Sequence, residues 1–413
     1  AAAEILSADR WIIGRDTRES GLVLSEAVMS AITSDGFIAI DIGVAPTPVV
    51  AYLSNIENSG GVVVSASHNP WTDNGIKIFA PGGRKLRDHE QALIEKRLNE
   101  LLADTGITAQ HNSDPTRHAN PTEAWINSIC TALENRTLEG THLVVDCANG
   151  SASRIAEPLF RELGARVDII NNEPDGRNIN QGCGSTNPQM LVETVQTSGA
   201  DLGLALDGDA DRLIAVASDG AIIDGDRQLC LFATDLDQRE LLINRSVVIT
   251  VMSNLGLRQA MQRADITTIE VPVGDRNILT RLDAGEAILG GEQSGHLIFR
   301  EHGTTGDGLL SGALLADLIL RSDKNSAELI HGAMHQFPQV LLNIPVNSKS
   351  VEMPEDIQQE IELTQERLAD TGRVLVRVSG TEALIRVMVE ATEETLAQSE
   401  AQRLASIIQA GIS

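Results

Sequence analysis

The chain has 413 residues, 42% hydrophobic and only 2% aromatic, which predicts two to four domains packed mainly by aliphatic side chains. A formal charge of −26 opposes binding to nucleic acid or an anionic membrane, so any phosphorylated ligand needs a local positive island. Cys130, Cys147, Cys183 and Cys230 form no C-x-x-C pair, no apolar run reaches membrane-span length, and the start lacks a secretory-signal pattern, so a soluble, cytoplasmic protein with reduced thiols is expected.

Along the chain, apolar runs alternate with amphipathic segments, as in α/β proteins. One pattern recurs: a short β-branched run ends in a polar or glycine-rich loop, and a helical pattern follows. It appears as WIIGRDTRESG (11–21) with VVVSASHNP (62–70), and as LVVDCANGSAS (143–153) with LGLALDGDADR (202–212). It returns as SVVITVMSNLG (246–256) with AILGGEQSGH (287–296). This predicts three divergent copies of one α/β unit, whose loops at the carboxyl ends of strands share one cleft. From about Phe337 the pattern changes to strand, helix, strand pair, helix, a smaller α+β domain. HNSDPTRHANP (111–121) is rich in turn formers and reads as a linker. The predicted domains are 1–118, 119–222, 223–335 and 336–413.

Four loops offer chemistry. Ser67, in SASHNP, follows a buried-type strand and can expose its hydroxyl in a tight turn; an ordinary Ser/Asn/Pro turn is the plain alternative. His68 adjoins it, and Lys77 follows ten residues on, able to move a proton or hold phosphate. In DGDADR, Asp207, Asp209 and Asp211 alternate after an apolar run, and carboxylates this close call for a cation; hard oxygen ligands suit Mg²⁺. An EF-hand is excluded, because Arg212 stands where its glycine belongs and Ser218 where its glutamate belongs. In GEQSGH, Glu292, Ser294 and His296 can grip sugar hydroxyls, and His296 could also pass a proton; a glycine-rich turn is the alternative. In RVSGTE, Arg377, Ser379, Gly380 and Thr381 form a reasonable phosphate cradle, or else a hairpin turn; no Walker A loop is present.

Taken together and in this order, the loops resemble those of the α-D-phosphohexomutase superfamily, whose loops have the forms S/T-ASHNP, DGDGDR, GE-x-S and R-x-S-G/N-T. The resemblance runs from about Trp11 to the end of the chain. DNGIK after the serine loop, DCANG at 146–150, GEQSGH, and SGTE leading to LIRVMVE are most similar to the phosphoglucosamine mutases within it. The resemblance implies three related α/β domains and a smaller C-terminal α+β domain around a central cleft. It implies a phosphorylated Ser67 that helps Asp207, Asp209 and Asp211 hold one Mg²⁺ ion, with Ser67, His68 and Lys77 as catalytic residues. Arg377, Ser379, Gly380 and Thr381 would hold the non-reacting phosphate, and Glu292, Ser294 and His296 the sugar, with Arg18, Arg212 and Arg276 as further substrate contacts. The implied reaction interconverts glucosamine 6-phosphate and glucosamine 1-phosphate through a bisphosphosugar that turns over in the cleft, feeding cell-wall precursor synthesis. The implied partner is a small phosphosugar, with no nucleic acid and no membrane; no oligomeric state is implied.

Three departures stand out. Ala210 replaces the second glycine of the metal loop, which is tolerable unless that residue needs a positive φ. Ala383 stands where the family usually has proline. The family's opening segment, of the form FGT-D/S-G-I/V-RG, has no counterpart ahead of Trp11; it supplies a strand and active-site contacts. The open alternatives are a phosphomannomutase/phosphoglucomutase and a truncated, non-catalytic sugar-phosphate-binding relative.

Overall fold

Strands Gly60–Val64, His142–Asp146, Leu202–Leu206 and Ser246–Thr250 are buried at every position. Such continuous burial is what central strands of helix-covered parallel sheets require. The computed structural model describes residues 1–103, 115–346, 353–378 and 383–412. It divides into two units, Ala1–Met252 with Asp265–Ala333, and Ser253–Ala264 with Met334–Ser413.

The first unit holds three sheets with one shared plan. In the first sheet Arg10–Arg15 lies between Ile38–Val44 and Gly60–Val64, parallel to both, and Ile76–Ala80 returns antiparallel beside Gly60–Val64. In the second, His142–Asp146 lies between Arg166–Ile170 and Leu202–Leu206, with Leu213–Ala217 returning antiparallel. In the third, Ser246–Thr250 lies between Thr267–Val271 and Leu289–Gly291, with Leu297–Phe299 returning antiparallel. The three predicted copies are therefore real, and their order is fourth, third, first, second in every sheet. In each copy the chemistry-bearing loop is the turn between the third and fourth strands. Because the third strand is parallel to the first, that turn lies at a carboxyl end, where α/β sheets offer ligand sites.

Helix Gly308–Arg321 is buried along nearly its whole length. Its N-cap Asp307 accepts hydrogen bonds from the Leu309 and Leu310 amides at 3.0 and 2.9 Å and from Trp125 Nε1 at 2.9 Å. One carboxylate thus satisfies two of the helix's orphan amides and a buried indole.

In the second unit, Leu384–Ala391 lies antiparallel between Gln339–Pro345 and Gly372–Val378. Ala397, Ala401, Leu404 and Ile408 fall on one face of helix Glu394–Ile412 and join a core with Ile385, Val387 and Val389. Helix Glu355–Leu368 completes the small α+β domain predicted for the tail.

Candidate active site

Ser67 stands at the end of a buried strand with φ +52°, a left-handed conformation that a non-glycine residue adopts at a cost. The surroundings over-determine it. The Ser67 amide donates to Ser65 Oγ at 2.9 Å, and Ser65 Oγ donates to Asp16 at 2.5 Å. The Ser67 carbonyl accepts from Arg18 at 3.1 Å and from Asn180 Nδ2 at 2.9 Å. Asn69 O takes a second bond from each, at 2.6 and 3.1 Å. The turn is thereby stapled from the first and second copies alike, and the Ser67 hydroxyl, donating at 2.5 Å, is aimed at Asp207 Oδ2.

Arg18, expected as a substrate contact, is part of the staple. Its guanidinium is wholly buried, ion-paired with Asp16 and bonded to the two loop carbonyls, so it positions the serine turn. Burial pushes the Asp16 carboxyl up by more than Arg18 and Ser65 pull it down. Removing the arginine should therefore be expensive at neutral pH: Arg18→Ala is expected to cost roughly 3 kcal/mol or more in denaturant unfolding. That loss should shrink as pH falls and Asp16 takes up a proton; a loss under about 1 kcal/mol at pH 8 would contradict the placement.

Asp207, Asp209 and Asp211 are buried, and one carboxylate oxygen from each lies within 4.8 Å of the others. Thr47 begins helix Thr47–Ile56, and its hydroxyl donates to Asp209 while its amide donates to Asp209 O at 2.9 Å. The positive end of that helix thus meets the acidic loop. Lys77 Nζ reaches Asp209 at 2.5 Å and Asp211 at 2.9 Å. The Arg212 amide donates to Asp207 Oδ1 at 3.2 Å, and its Nε lies 3.8 Å from Asp211.

The electrostatics separate the groups. Burial, then the charges of Asp211 and Asp209, hold Asp207 well above the usual carboxylate range. Burial would raise Asp211 too, but Lys77 and His296 outweigh it and hold it well below. Burial would lower Lys77, but Asp209 and Asp211 hold it up, so it stays an ammonium. Held so, it balances the charge of the acids. Burial, then Arg212, push His68 below its ordinary 6.5, leaving it a neutral imidazole whose Nδ1 is 3.5 Å from Ser67 Oγ.

The donor set fits a hard cation. Asp209 Oδ1 and Asp211 Oδ1 are buried with no hydrogen-bond partner, and three carboxylates crowd one spot with no sulfur or imidazole among them. Gly208 is required there, since a Cβ would come within 2.7 Å of Ser67 O. Ala210 has φ +57°, so the condition attached to this substitution is met: the position does favour glycine, and the alanine bears left-handed strain.

In the third loop Glu292 Oε1 accepts from the Gly274 amide at 2.9 Å, and exposed Ser294 lies 3.5 Å from Oε2. His296 sits beside the aspartate loop. It is buried, its Nδ1 lies 3.6 Å from Asp211 Oδ1, and its Nε2 accepts from the Gly306 amide at 3.2 Å. An accepting Nε2 puts the ring proton on Nδ1, toward Asp211. His296 therefore stands between the third carboxylate and Asp275, whose Oδ2 lies 3.8 Å from its Nε2. Arg276 binds Asp88 and Gln91 Oε1, each at 2.6 Å.

Of the phosphate cradle, Arg377 is described, while Ser379, Gly380 and Thr381 lie outside the described residues. Arg377 pairs across the sheet with Arg386, and its Nε is buried without a hydrogen bond. Burial, then Arg386, push its guanidinium below its ordinary value, an environment that an anion would relieve.

The sequence reading missed Thr47, Asn180, Ser65 and Asp16. Ser65 carried a signal, since alternation along the strand sets it two residues before Ser67 on the same side. The others reach the site only through tertiary packing.

Residues 1–104, 122–220, 224–337 and 341–407 match, in order, the phosphoglucomutase/phosphomannomutase α/β/α domains I, II and III and the C-terminal domain. The chain belongs to the phosphoglucomutase/phosphomannomutase family. It is 46% identical over 417 residues to the phosphoglucosamine mutase of Thermobifida fusca, covering 99% of this chain and 92% of that protein. It is 44% identical over 400 residues to the phosphoglucosamine mutase of Pelotomaculum thermopropionicum, with coverages of 96% and 89%. Among solved structures, a phosphoglucomutase/phosphomannomutase family protein of Burkholderia thailandensis shares the fold, with TM-score 0.80 at 24% identity over 100% of this chain and 92% of that one. So does the Aspergillus fumigatus N-acetylphosphoglucosamine mutase in complex with GlcNAc-6P and magnesium, with TM-score 0.67 at 18% identity over 89% and 93%.

Proposed function

We propose that this chain is a phosphoglucosamine mutase, interconverting glucosamine 6-phosphate and glucosamine 1-phosphate by way of a phosphorylated Ser67. The observation that carries the reading is the Ser67 hydroxyl, held in a strained, stapled turn and aimed at a buried triad of carboxylates. The four domains, with boundaries near 118, 222 and 335, belong to this proposal. The long identities to phosphoglucosamine mutases support the choice of sugar.

In the first half-reaction the bond from phosphorus to Ser67 Oγ breaks and one to the free sugar hydroxyl forms. The attacking hydroxyl loses its proton and the departing serine oxygen takes one up; in the second transfer the serine oxygen gives that proton up as it accepts the other phosphate, and the freed sugar oxygen gains one. Neutral His68 is placed to accept a proton, and the Lys77 ammonium, held charged on the acids, to stabilise negative charge beside Ser67. Asp207, Asp209 and Asp211 would hold a Mg²⁺ ion, which when bound neutralises charge on the transferring phosphoryl oxygens. Glu292 and Ser294 would hold sugar hydroxyls, and Lys77 and Arg212 balance the acids where negative charge gathers.

A coupled assay on glucosamine, glucose and mannose 6-phosphates tests the reading. Preference for glucose or mannose by more than about tenfold in kcat/KM, roughly 1.4 kcal/mol of transition-state binding, would overturn the choice of sugar. Arg377 with Ser379, Gly380 and Thr381 would hold the phosphate that is not transferred, in both orientations of the substrate. Such uniform binding shows mainly in KM. Arg377→Ala is thus expected to raise KM at least about tenfold, with a smaller fall in kcat and with Ser67 phosphorylation intact. An unchanged KM for every phosphosugar would reduce RVSGTE to a hairpin turn.

A further inference from the structure

Helices Gly225–Gln238 and Gly308–Arg321 start alike, each on an Asp-Gly pair whose aspartate is the N-cap. In both, one carboxylate oxygen caps its own helix. Asp224 Oδ1 accepts from the Arg227 amide at 3.0 Å, and Asp307 Oδ1 from the Leu309 and Leu310 amides at 3.0 and 2.9 Å. The other oxygen reaches outside the helix. Asp224 Oδ2 lies 3.5 Å from Gln293 Nε2, and Asp307 Oδ2 accepts from Trp125 Nε1 at 2.9 Å. Capping uses only the first oxygen, so helix formation does not account for the second.

The glycine after each aspartate shows what that second oxygen serves. The first amide of a helix has no partner within it. Gly225 gives its amide to Gln293 O at 2.9 Å, and Gly308 gives its amide to Ala210 O at 3.0 Å. The first carbonyl lies in the third loop, between Glu292 and Ser294. The second lies in the metal loop, between Asp209 and Asp211, at the residue in left-handed strain. No side chain fits at either glycine: a Cβ on Gly225 would strike Glu292 O, and one on Gly308 would strike Arg212 O. The helix ends thus lie directly against the two loops, and a shift of either end is passed to the side chains that loop carries. The outer tie holds each end in place. Gln293 is in the third loop itself, and buried Trp125 is on helix Glu123–Ala132, which leads into the copy that carries the metal loop.

We propose that Asp224 and Asp307 are positioning residues for the reaction, Asp224 setting the loop of Glu292 and Ser294, and Asp307 the loop of the three aspartates. The assignment rests on the mutase reading, which names the ligand of each loop. Calorimetric titration of the full chain with Mg²⁺, and separately with glucosamine 6-phosphate in EDTA, tests it. Serine caps a helix about as well as aspartate but lacks the second oxygen, so Asp224→Ser and Asp307→Ser keep the helices and lose the ties. Asp224→Ser is expected to weaken the phosphosugar at least about fivefold and leave Mg²⁺ within about twofold, and Asp307→Ser to do the reverse. Gln293→Met and Trp125→Phe cut the same ties from the other side and should reproduce the two patterns, so an unfolded serine variant leaves its counterpart to decide. In Asp224→Asn, Gln293 can turn its amide and accept, so wild-type affinity should return. In Asp307→Asn the indole can only donate, so the loss should stay. A residue that only stabilises the fold would lower Tm without sorting its effects by ligand. Unchanged affinities in folded variants, or one ligand weakened by both serine variants, would overturn the proposal. A wild type that binds neither ligand would overturn the mutase reading, and the assignment with it.

Discussion

Ser67→Ala is expected to abolish mutase turnover, by on the order of 10⁴-fold or more in kcat, while leaving the protein folded. The hydroxyl removed is the atom that carries the phosphoryl group, and no neighbouring side chain can replace it: His68 is 3.5 Å away and Lys77 is held on the acids. The turn should survive, because its staples act on the Ser67 backbone and on Asn69 O and not on the hydroxyl. Intact mass should show one phosphate on the wild type and none on the variant. Substantial turnover in the variant would place the phosphoryl carrier elsewhere.

Asp209→Ala is expected to be nearly as severe, with kcat reduced about a thousandfold or more and KM changed much less. Asp209 is buried, ties the first copy through Thr47, and holds Lys77. Its loss removes a third of the donor set, so the variant should also bind Mg²⁺ more weakly by direct titration. Chelation of the wild type should stop turnover and Mg²⁺ should restore it. Zn²⁺ should bind but support turnover poorly, since its preference for four nitrogen or sulfur ligands does not match an all-oxygen site. Unchanged Mg²⁺ affinity in Asp209→Ala would remove the triad from the metal site.

Much of this was legible in the sequence, for identifiable reasons. The three repeats were visible because strands buried on both faces write continuous apolar runs, and the loops stood out because Ser67 and the three aspartates follow such runs directly. The tail was legible from the spacing of Ala397, Ala401, Leu404 and Ile408. What stayed hidden depends on contacts between copies. Arg18 was expected only as a substrate contact, and a guanidinium reads the same in sequence whatever it binds; the packing of Asp16, Ser67 and Asn69 shows that it holds the serine turn. For His296 the sequence offered a sugar contact, and only packing shows that its ring also lies beside Asp211 and takes the Gly306 amide. Ala210 is the opposite case: family resemblance raised the question of a positive φ, and the backbone answered it.

The central claim is that phosphate resides on Ser67 and passes to the amino sugar. Rapid-quench mixing of enzyme radiolabelled on Ser67 with unlabelled glucosamine 6-phosphate measures that transfer directly. Label should leave the protein in a single turnover, appear first in a bisphosphosugar and then in glucosamine 1-phosphate. Label that stays on the protein while unlabelled glucosamine 1-phosphate accumulates would contradict the account.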